Sequence, residues 1–82
     1  MADFGYARSM NPVNPKKLLL SKWTALTPLN KEKHFVVTCV VEPDTPGAPP
    51  DEIDLEAVHS GAVRRITWRT LRDSAQWRQG WI

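Results

Sequence analysis

The amino-acid sequence predicts a small, mainly β domain at the border of the α+β class: an antiparallel β meander of three to four strands, closed by short C-terminal helical turns. β-branched and aromatic residues dominate residues 34–42, and apolar and acidic residues alternate over residues 53–57. From Thr67 the apolar residues follow a helical spacing instead. These patterns leave two architectures open, a small SH3-like barrel and a sheet capped by a helix.

The N-terminal part of the chain is the least regular. Glycine, proline and asparagine interrupt residues 1–14, which show no clear apolar period. This predicts a flexible N-terminal leader, followed by a single domain over residues 15–82. A first strand is expected over residues 22–26, because the turn-forming residues 27–30 follow it.

Residues 34–42 form the clearest predicted strand. Strict alternation divides its side chains between two largely apolar faces, which is typical of a central or barrel strand. One face holds Phe35, Val37, Cys39 and Val41, and the other holds Val36, Thr38 and Val40. Cys39 is therefore expected to be a small core residue rather than a nucleophile.

Proline and glycine set the boundaries of the next elements. Four prolines lie between residues 43 and 52 and lack the N–H group that a sheet ladder requires, so this segment is predicted to be an exposed loop. Residues 53–57 are predicted to form a strand with one solvated face. After a turn at Ser60-Gly61, residues 62–66 are predicted to return as another strand.

Two helical turns are predicted at the C-terminus. The first covers about residues 67–72. The second begins after Asp73, where Gln76 completes a spacing that resembles a capping box, and it ends at Gly80, a residue type common just after a helix.

Tryptophan is the most unusual feature of the composition, with four residues among 82. Each buried tryptophan removes about 150–250 Å² from water, so a short chain without disulfides can obtain much of its core from a few of them. The predicted core residues are Trp23, Phe35, Val37, Leu55, Trp68 and Leu71.

Charge is unevenly distributed, although the formal net charge is only +2. Residues 42–56 carry six acids and no base, whereas residues 57–82 carry five arginines and one acid, Asp73. The two segments either neutralise each other or leave a basic face, whose field reaches about 8 Å at physiological salt.

Arginines alternate with the last three tryptophans, and this pattern has two interpretations. In one, the indole rings are core and the arginines cover their edges; the small size of the domain favours it. In the other, exposed rings stack on the bases of single-stranded nucleic acid while arginines contact phosphates. The residues predicted for such a surface, or for binding a protein partner, are Arg64, Arg65, Arg69, Arg72, Arg78, Trp77 and Trp81.

The sequence contains none of the catalytic or cofactor motifs that we considered. Its four glycines stand alone, which excludes a phosphate-binding glycine loop, and no nucleophile elbow is present. His34, Cys39 and His59 have no zinc-site spacing, and strict alternation places His34 and Cys39 on opposite faces. We therefore expect no enzymatic activity, no metal and no cofactor.

The compartment and the oligomeric state are also predicted. Cys39 is the single cysteine, so it forms no internal disulfide, and the N-terminus lacks a secretory signal; both observations favour the cytoplasm. The apolar runs are far shorter than the ~20 residues of a membrane span. We expect a monomeric, non-enzymatic binding or adaptor module. Single-stranded nucleic acid is the first partner class, and a protein bound at an aromatic groove or a strand edge is the alternative.

Three sequence blocks carry a resemblance to a known family. They are Asn14-Pro15-Lys16-Lys17-Leu18-Leu19-Leu20-Ser21-Lys22-Trp23-Thr24-Ala25, Lys31-Glu32-Lys33-His34-Phe35, and Trp68-Arg69-Thr70-Leu71-Arg72-Asp73-Ser74 with Trp77 and Gly80-Trp81. In their order and spacing, over about residues 14–82, the chain resembles short tryptophan-rich bacterial proteins of unknown function. The resemblance implies a bacterial origin and a tryptophan-rich domain, and it implies no activity.

Overall fold

The structure, a computed structural model, describes residues 10–82, which contain five β-strands and two short 3₁₀ turns. The strands are β1 (Lys22–Leu29), β2 (Glu32–Val40), β3 (Glu52–Ala57), β4 (Val63–Thr67) and β5 (Trp77–Gln79), and the 3₁₀ turns are Pro15–Lys17 and Trp68–Arg72. All neighbouring strands are antiparallel. The predicted mainly β meander with short C-terminal turns is confirmed.

The strands form one open sheet in the order β4-β3-β2-β1-β5. The two edges, β4 and β5, are not paired with each other, so the sheet does not close into the barrel that the sequence left open. The fifth strand exceeds the predicted three to four. Within residues 10–82, no helix has the length and the apolar character needed to cross a bilayer.

β1 and β2 form a hairpin through a tight turn at Asn30 and Lys31. Both residues have a positive φ, 56° and 63°, as in a type I′ turn, whose twist matches that of the strands it joins. β1 therefore continues beyond residue 26, its predicted end, to Leu29. The register with β2 shifts between Thr24 and Leu29, so this part of the hairpin is irregular.

A β-bulge in β2 changes the predicted division of its side chains between two faces. The register with β3 shifts between Val37 and Cys39, so Thr38 is the extra residue. Beyond it the alternation reverses: Cys39 is exposed and Val40 packs against the core. The prediction that Cys39 is buried with Phe35 and Val37 is wrong, because strict alternation holds only in a strand without a bulge.

Residues 73–80 do not form the predicted second helical turn. The backbone N–H groups of Gln76 and Trp77 donate to the Asp73 carbonyl, at 3.1 and 2.9 Å, and close a turn that leads into β5. β5 then pairs with β1. The helical spacing of apolar residues is overridden here, because a neighbouring strand supplies hydrogen bonds and a buried position for Trp77.

The core lies on one face of the sheet, under the segment that crosses from β4 to β5. Buried hydrophobic residues from this segment, from the strands and from the residues before β1 form one cluster. Its members are Leu18, Trp23, Ala25, Phe35, Val37, Ile53, Leu55, Ala57, Trp68, Leu71 and Trp77. The opposite face, called the outer face below, carries Thr24, His34, Val36, Cys39, Asp54 and Arg65.

The predicted flexible leader falls mostly on residues 1–9, which lie outside the described residues, and there it stays a prediction. Its last residues, 10–14, are described and lie along the β5 edge. The side-chain amide of Asn11 donates hydrogen bonds to the carbonyls of Leu71, at 2.8 Å, and Trp77, at 2.7 Å. This segment therefore contacts the domain directly.

Candidate functional site

The seven residues predicted for a binding surface are spread over both faces of the sheet and over both edges. Trp77 differs most clearly from its predicted place on a binding surface. It lies opposite Ala25 on the core face, is only 7% exposed, and meets Phe35 edge to face with a centroid distance of 5.3 Å. Its ring therefore offers no stacking platform, because pairing with β1 turns it into the core.

Two of the five arginines are neutralised by acids from the preceding segment. Arg65 of β4 lies opposite Asp54 of β3 and donates to both carboxylate oxygens, at 2.9 and 3.3 Å. The hydrogen bond from Arg65 lowers the pKa of the Asp54 carboxyl below its ordinary value. Arg69 pairs with Asp51 and lies over the Trp68 ring, 4.8 Å from its centroid. At these two positions the acidic and basic segments neutralise each other, which is one of the two outcomes that the sequence left open.

Arg64 stands apart from the other arginines of β4. It lies opposite Leu55, so it points to the core face, where its guanidinium carbon is 5.1 Å from the centroid of the Phe35 ring. No ion pair of Arg64 occurs within the described part of the chain. It is a cation at the rim of the core, immediately beside the sheet edge.

Five of the other basic residues lie on what we call the β1/β5 side, formed by residues 15–25 and 72–82. These two segments carry five basic residues and one acid, Asp73. The basic residues are Lys16, Lys17, Lys22, Arg72 and Arg78. The β3/β4 side, by contrast, is nearly balanced, with four acids and three arginines over residues 51–69. The excess of basic over acidic residues therefore lies on the β1/β5 side, whereas acids and arginines nearly balance on the β3/β4 side.

Trp81 lies on the outer face of the β1/β5 side and is 43% exposed. Gly80, with a φ of 86°, follows β5 and turns the chain onto this face, where the Gly80 N–H donates to the Lys22 carbonyl at 2.7 Å. The Trp81 indole N–H donates to the Phe35 carbonyl at 2.9 Å. Its ring stacks on His34, with centroids 5.7 Å apart, and the Lys22 ammonium lies 5.0 Å from its centroid.

Thr24 holds the C-terminal segment, residues 80–82, against the outer face of the sheet. It is the fully buried polar side chain of the outer face, and its hydroxyl donates to the Gly80 carbonyl at 2.6 Å and accepts from the Ile82 N–H at 3.2 Å. The neighbouring His34 Nε2 lies 2.9 Å from the Ile82 carbonyl oxygen. Trp81 is thus held at a defined position although its ring is partly exposed.

An open groove of about 710 Å³ continues the β1/β5 side on the core face. Two of its lining side chains are basic, Lys17 and Arg72, and two are aromatic, Trp23 and Trp68. Both indole N–H groups are already used: that of Trp23 donates to Ser21 and that of Trp68 to the Pro50 carbonyl. The groove therefore offers positive charge and apolar surface rather than free indole donors.

The bulge at Thr38 also corrects the predicted placement of the candidate metal ligands. Because it reverses the alternation, His34 and Cys39 share the outer face instead of lying on opposite faces. Across residues 10–82, no three His, Cys, Asp or Glu side chains are grouped closely enough to hold a metal ion.

Sequence reasoning missed the residues that surround Trp81. From the sequence, His34 is considered only as a metal ligand, and Lys22 and Thr24 receive no functional role. No local pattern identifies them, because the β1–β5 pairing, with Thr24 opposite Arg78, is what brings them to Trp81. The grouping of Trp77 with Trp81 was equally natural, since residues four apart share a face in both a helix and a strand.

Comparison with known proteins identifies a family. A family model described as tryptophan-rich protein (DUF2389) matches residues 21–82. No curated protein and no solved structure matches the chain. The matched region includes all five strands and the residues around Trp81: Lys22 over its ring, and Thr24, His34 and Phe35, which hold its segment in place.

Proposed function

The chain belongs to the tryptophan-rich protein family, a family of unknown function, and we propose that it is a non-enzymatic, monomeric cytoplasmic module that binds single-stranded nucleic acid through the β1/β5 side. The observation that carries this proposal is Trp81, a 43% exposed indole on a side with five basic residues and one acid. Unpaired bases stack on exposed aromatic rings, and basic side chains beside the ring contact the phosphates that follow.

Lys22 determines how a base reaches the Trp81 ring. Its ammonium now lies over the indole, an exposed cation–π contact that contributes about 0.5–1 kcal/mol. Stacking of a base on an aromatic side chain contributes about 1–3 kcal/mol. A base therefore displaces Lys22 from the ring, and the displaced ammonium becomes available to a phosphate.

Salt dependence measures the phosphate contacts. Each phosphate contact with a single strand contributes about −0.7 to the slope of log affinity against log salt, so three to five contacts give about −2 to −3.5. We propose to titrate fluorescein-labelled single-stranded DNA and RNA oligonucleotides with the protein and to follow anisotropy at several salt concentrations. Absence of binding at low salt would remove the proposal.

Two arginines provide a matched pair of variants. Arg78→Gln and Arg65→Gln remove the same charge, but Arg78 lies on the β1/β5 side and Arg65 is paired with Asp54 on the other. We expect Arg78→Gln to reduce the magnitude of the salt slope by about 0.7, and Arg65→Gln to leave it unchanged. Equal effects of the two variants would indicate attraction by net charge alone.

Trp81→Ala separates stacking from electrostatics. We expect it to weaken binding about five- to 150-fold, the equivalent of one stacked base, without changing the salt slope.

A protein partner is the second candidate function. The observation that favours it is in a different part of the molecule, the edge strand β4, which no segment of residues 10–82 covers.

A further inference from the structure

The outer edge of the sheet at β4 presents main-chain hydrogen-bonding groups in a known pattern. The β3–β4 ladder is flanked by the bonds from Ala57 N to Ala62 O, at 2.8 Å, and from Trp68 N to Asp51 O, at 2.9 Å. In an antiparallel pair, alternate residues direct both of their main-chain groups to the partner strand. Residues 62, 64, 66 and 68 therefore face β3.

The intervening residues of β4, Val63, Arg65 and Thr67, direct their N–H and C=O groups away from the sheet. In the part of the chain that the structure describes, β4 pairs with β3 alone, and no hydrogen bond reaches these three residues' main-chain groups. Val63 is 54% exposed, and Arg65 and Thr67 are exposed as well. Such an edge is a template for one further strand.

Charge decides which strand fits this edge. Arg64 and Arg65 occupy opposite faces of β4; Arg65 is paired with Asp54, whereas Arg64 contacts the Phe35 ring and has no carboxylate partner among residues 10–82. A second copy of the chain, paired antiparallel about Arg65, would place the two copies' Arg65 side chains directly opposite each other, which is unfavourable. A strand with acidic side chains instead gains an ion pair at Arg64.

We propose that β4 accepts an extended acidic segment of a partner protein as a sixth strand. Main-chain hydrogen bonds form at Val63, Arg65 and Thr67, and a carboxylate of the added strand pairs with Arg64. This surface lies on the opposite edge of the sheet from the β1/β5 side, so it goes beyond the proposed nucleic-acid function and does not depend on it.

Amide NMR of the full chain tests the proposal directly. The probes are an alternating Thr–Glu heptapeptide and an alternating Thr–Lys heptapeptide. We expect the Thr–Glu peptide to slow hydrogen exchange of the amides of Val63, Arg65 and Thr67 and to leave those of Arg64 and Ile66, already bonded to β3, unchanged. Absence of this alternation, equal binding of the Thr–Lys peptide, or changes confined to the Trp81 region would overturn the proposal.

Two variants separate the main-chain contacts from the charge. Val63→Pro removes an outward N–H without touching the β3 ladder, whereas Val63→Thr retains it; the proline variant is expected to bind the Thr–Glu peptide about two- to tenfold more weakly. Arg64→Gln is expected to weaken binding about two- to fivefold. Val63→Pro is expected to leave nucleic-acid affinity unchanged, because Val63 lies on the opposite edge of the sheet from the β1/β5 side. Concentration-dependent protection of the same amides without peptide would identify a second copy as the occupant and reject an acidic partner.

Discussion

The two edges of the sheet are protected in different ways. At β5, the side-chain amide of Asn11 donates to the outward-facing carbonyl of Trp77, and the segment that contains it runs along the strand. At β4, no segment of residues 10–82 performs this role, and antiparallel pairing with another copy about Arg65 is opposed by the approach of the two Arg65 side chains. Hydrogen bonds from Asn11 cover the β5 edge, whereas repulsion between like charges disfavours pairing of two copies at the β4 edge.

This difference indicates at which edge a partner strand can join the sheet without displacing part of the domain. Joining β5 would require displacement of the Asn11 segment, whereas joining β4 requires only a strand of complementary charge. It also separates the two proposed surfaces. Nucleic acid is proposed to bind at the β5 edge, which is basic, and an acidic strand at the β4 edge, where Arg64 has no carboxylate partner in the described part of the chain.

The largest expected effect concerns the segment that crosses the core face from one edge to the other. Leu71 anchors it and is fully buried. We expect Leu71→Ala to lower the free energy of unfolding by about 2–5 kcal/mol, because it leaves a cavity under the crossing. Urea denaturation followed by tryptophan fluorescence measures this. Leu19→Ala, at an exposed residue, should stay within about 0.5 kcal/mol; similar losses in both variants would show that Leu71 is not the anchor.

A smaller effect is expected when the covered edge is opened. Asn11→Ala leaves the partly buried carbonyls of Leu71 and Trp77 without their donor. We expect a loss of about 1–3 kcal/mol and a fall in melting temperature of about 4–8 °C per kcal/mol, measured by circular dichroism. Asn14→Ala removes an exposed bond to the Lys16 N–H and should cost only about 0.5 kcal/mol. A neutral Asn11→Ala would mean that the edge is held by packing alone.

The smallest effect is expected at the uncovered edge, from the pair of Asp54 and Arg65. The pKa of Asp54 is lower in the folded chain than its ordinary 3.8. The pair therefore stabilises the fold above that pH, and the stabilisation is lost as pH falls through the folded-state pKa. Asp54→Asn should lower the urea midpoint slightly at pH 7, and this difference should shrink as pH falls below 3.8.

Glu56→Gln provides the matched control for that measurement, because Glu56 lies on the same face of β3 but opposite Val63 rather than an arginine. We expect Asp54→Asn to show the larger neutral-pH effect. A pH-independent difference between wild type and Asp54→Asn would contradict an ionic contribution at this edge.

Local sequence patterns were sufficient to predict where most strands lie, but not how the strands pair. The β-branched run of β2 and the alternation of β3 each depend on neighbouring residues, so the sequence predicts both. β5 was predicted as a helical turn, because three residues between a turn and a glycine show no strand period. Its hydrogen bonds come from β1, more than fifty positions earlier in the chain.

The candidate site residues show the same limit of local sequence patterns. The sequence treats Trp77 and Trp81 alike, yet Trp77 is in the core and Trp81 is partly exposed on the outer face, because Gly80 with its positive φ reverses the alternation between them. In the same way, the bulge at Thr38 moves Cys39 to the surface. One irregular backbone position is sufficient to exchange the two faces of a strand.

The sequence by itself determined the class of fold, the strands β1 to β4, the proline-rich loop and the family, because these follow from composition and from contacts between near neighbours. Only the tertiary structure decided which edge is covered, which arginines are neutralised and which tryptophan faces water. Those outcomes depend on pairing between distant segments, where hydrogen bonds and burial over the whole sheet outweigh the preference of any short window.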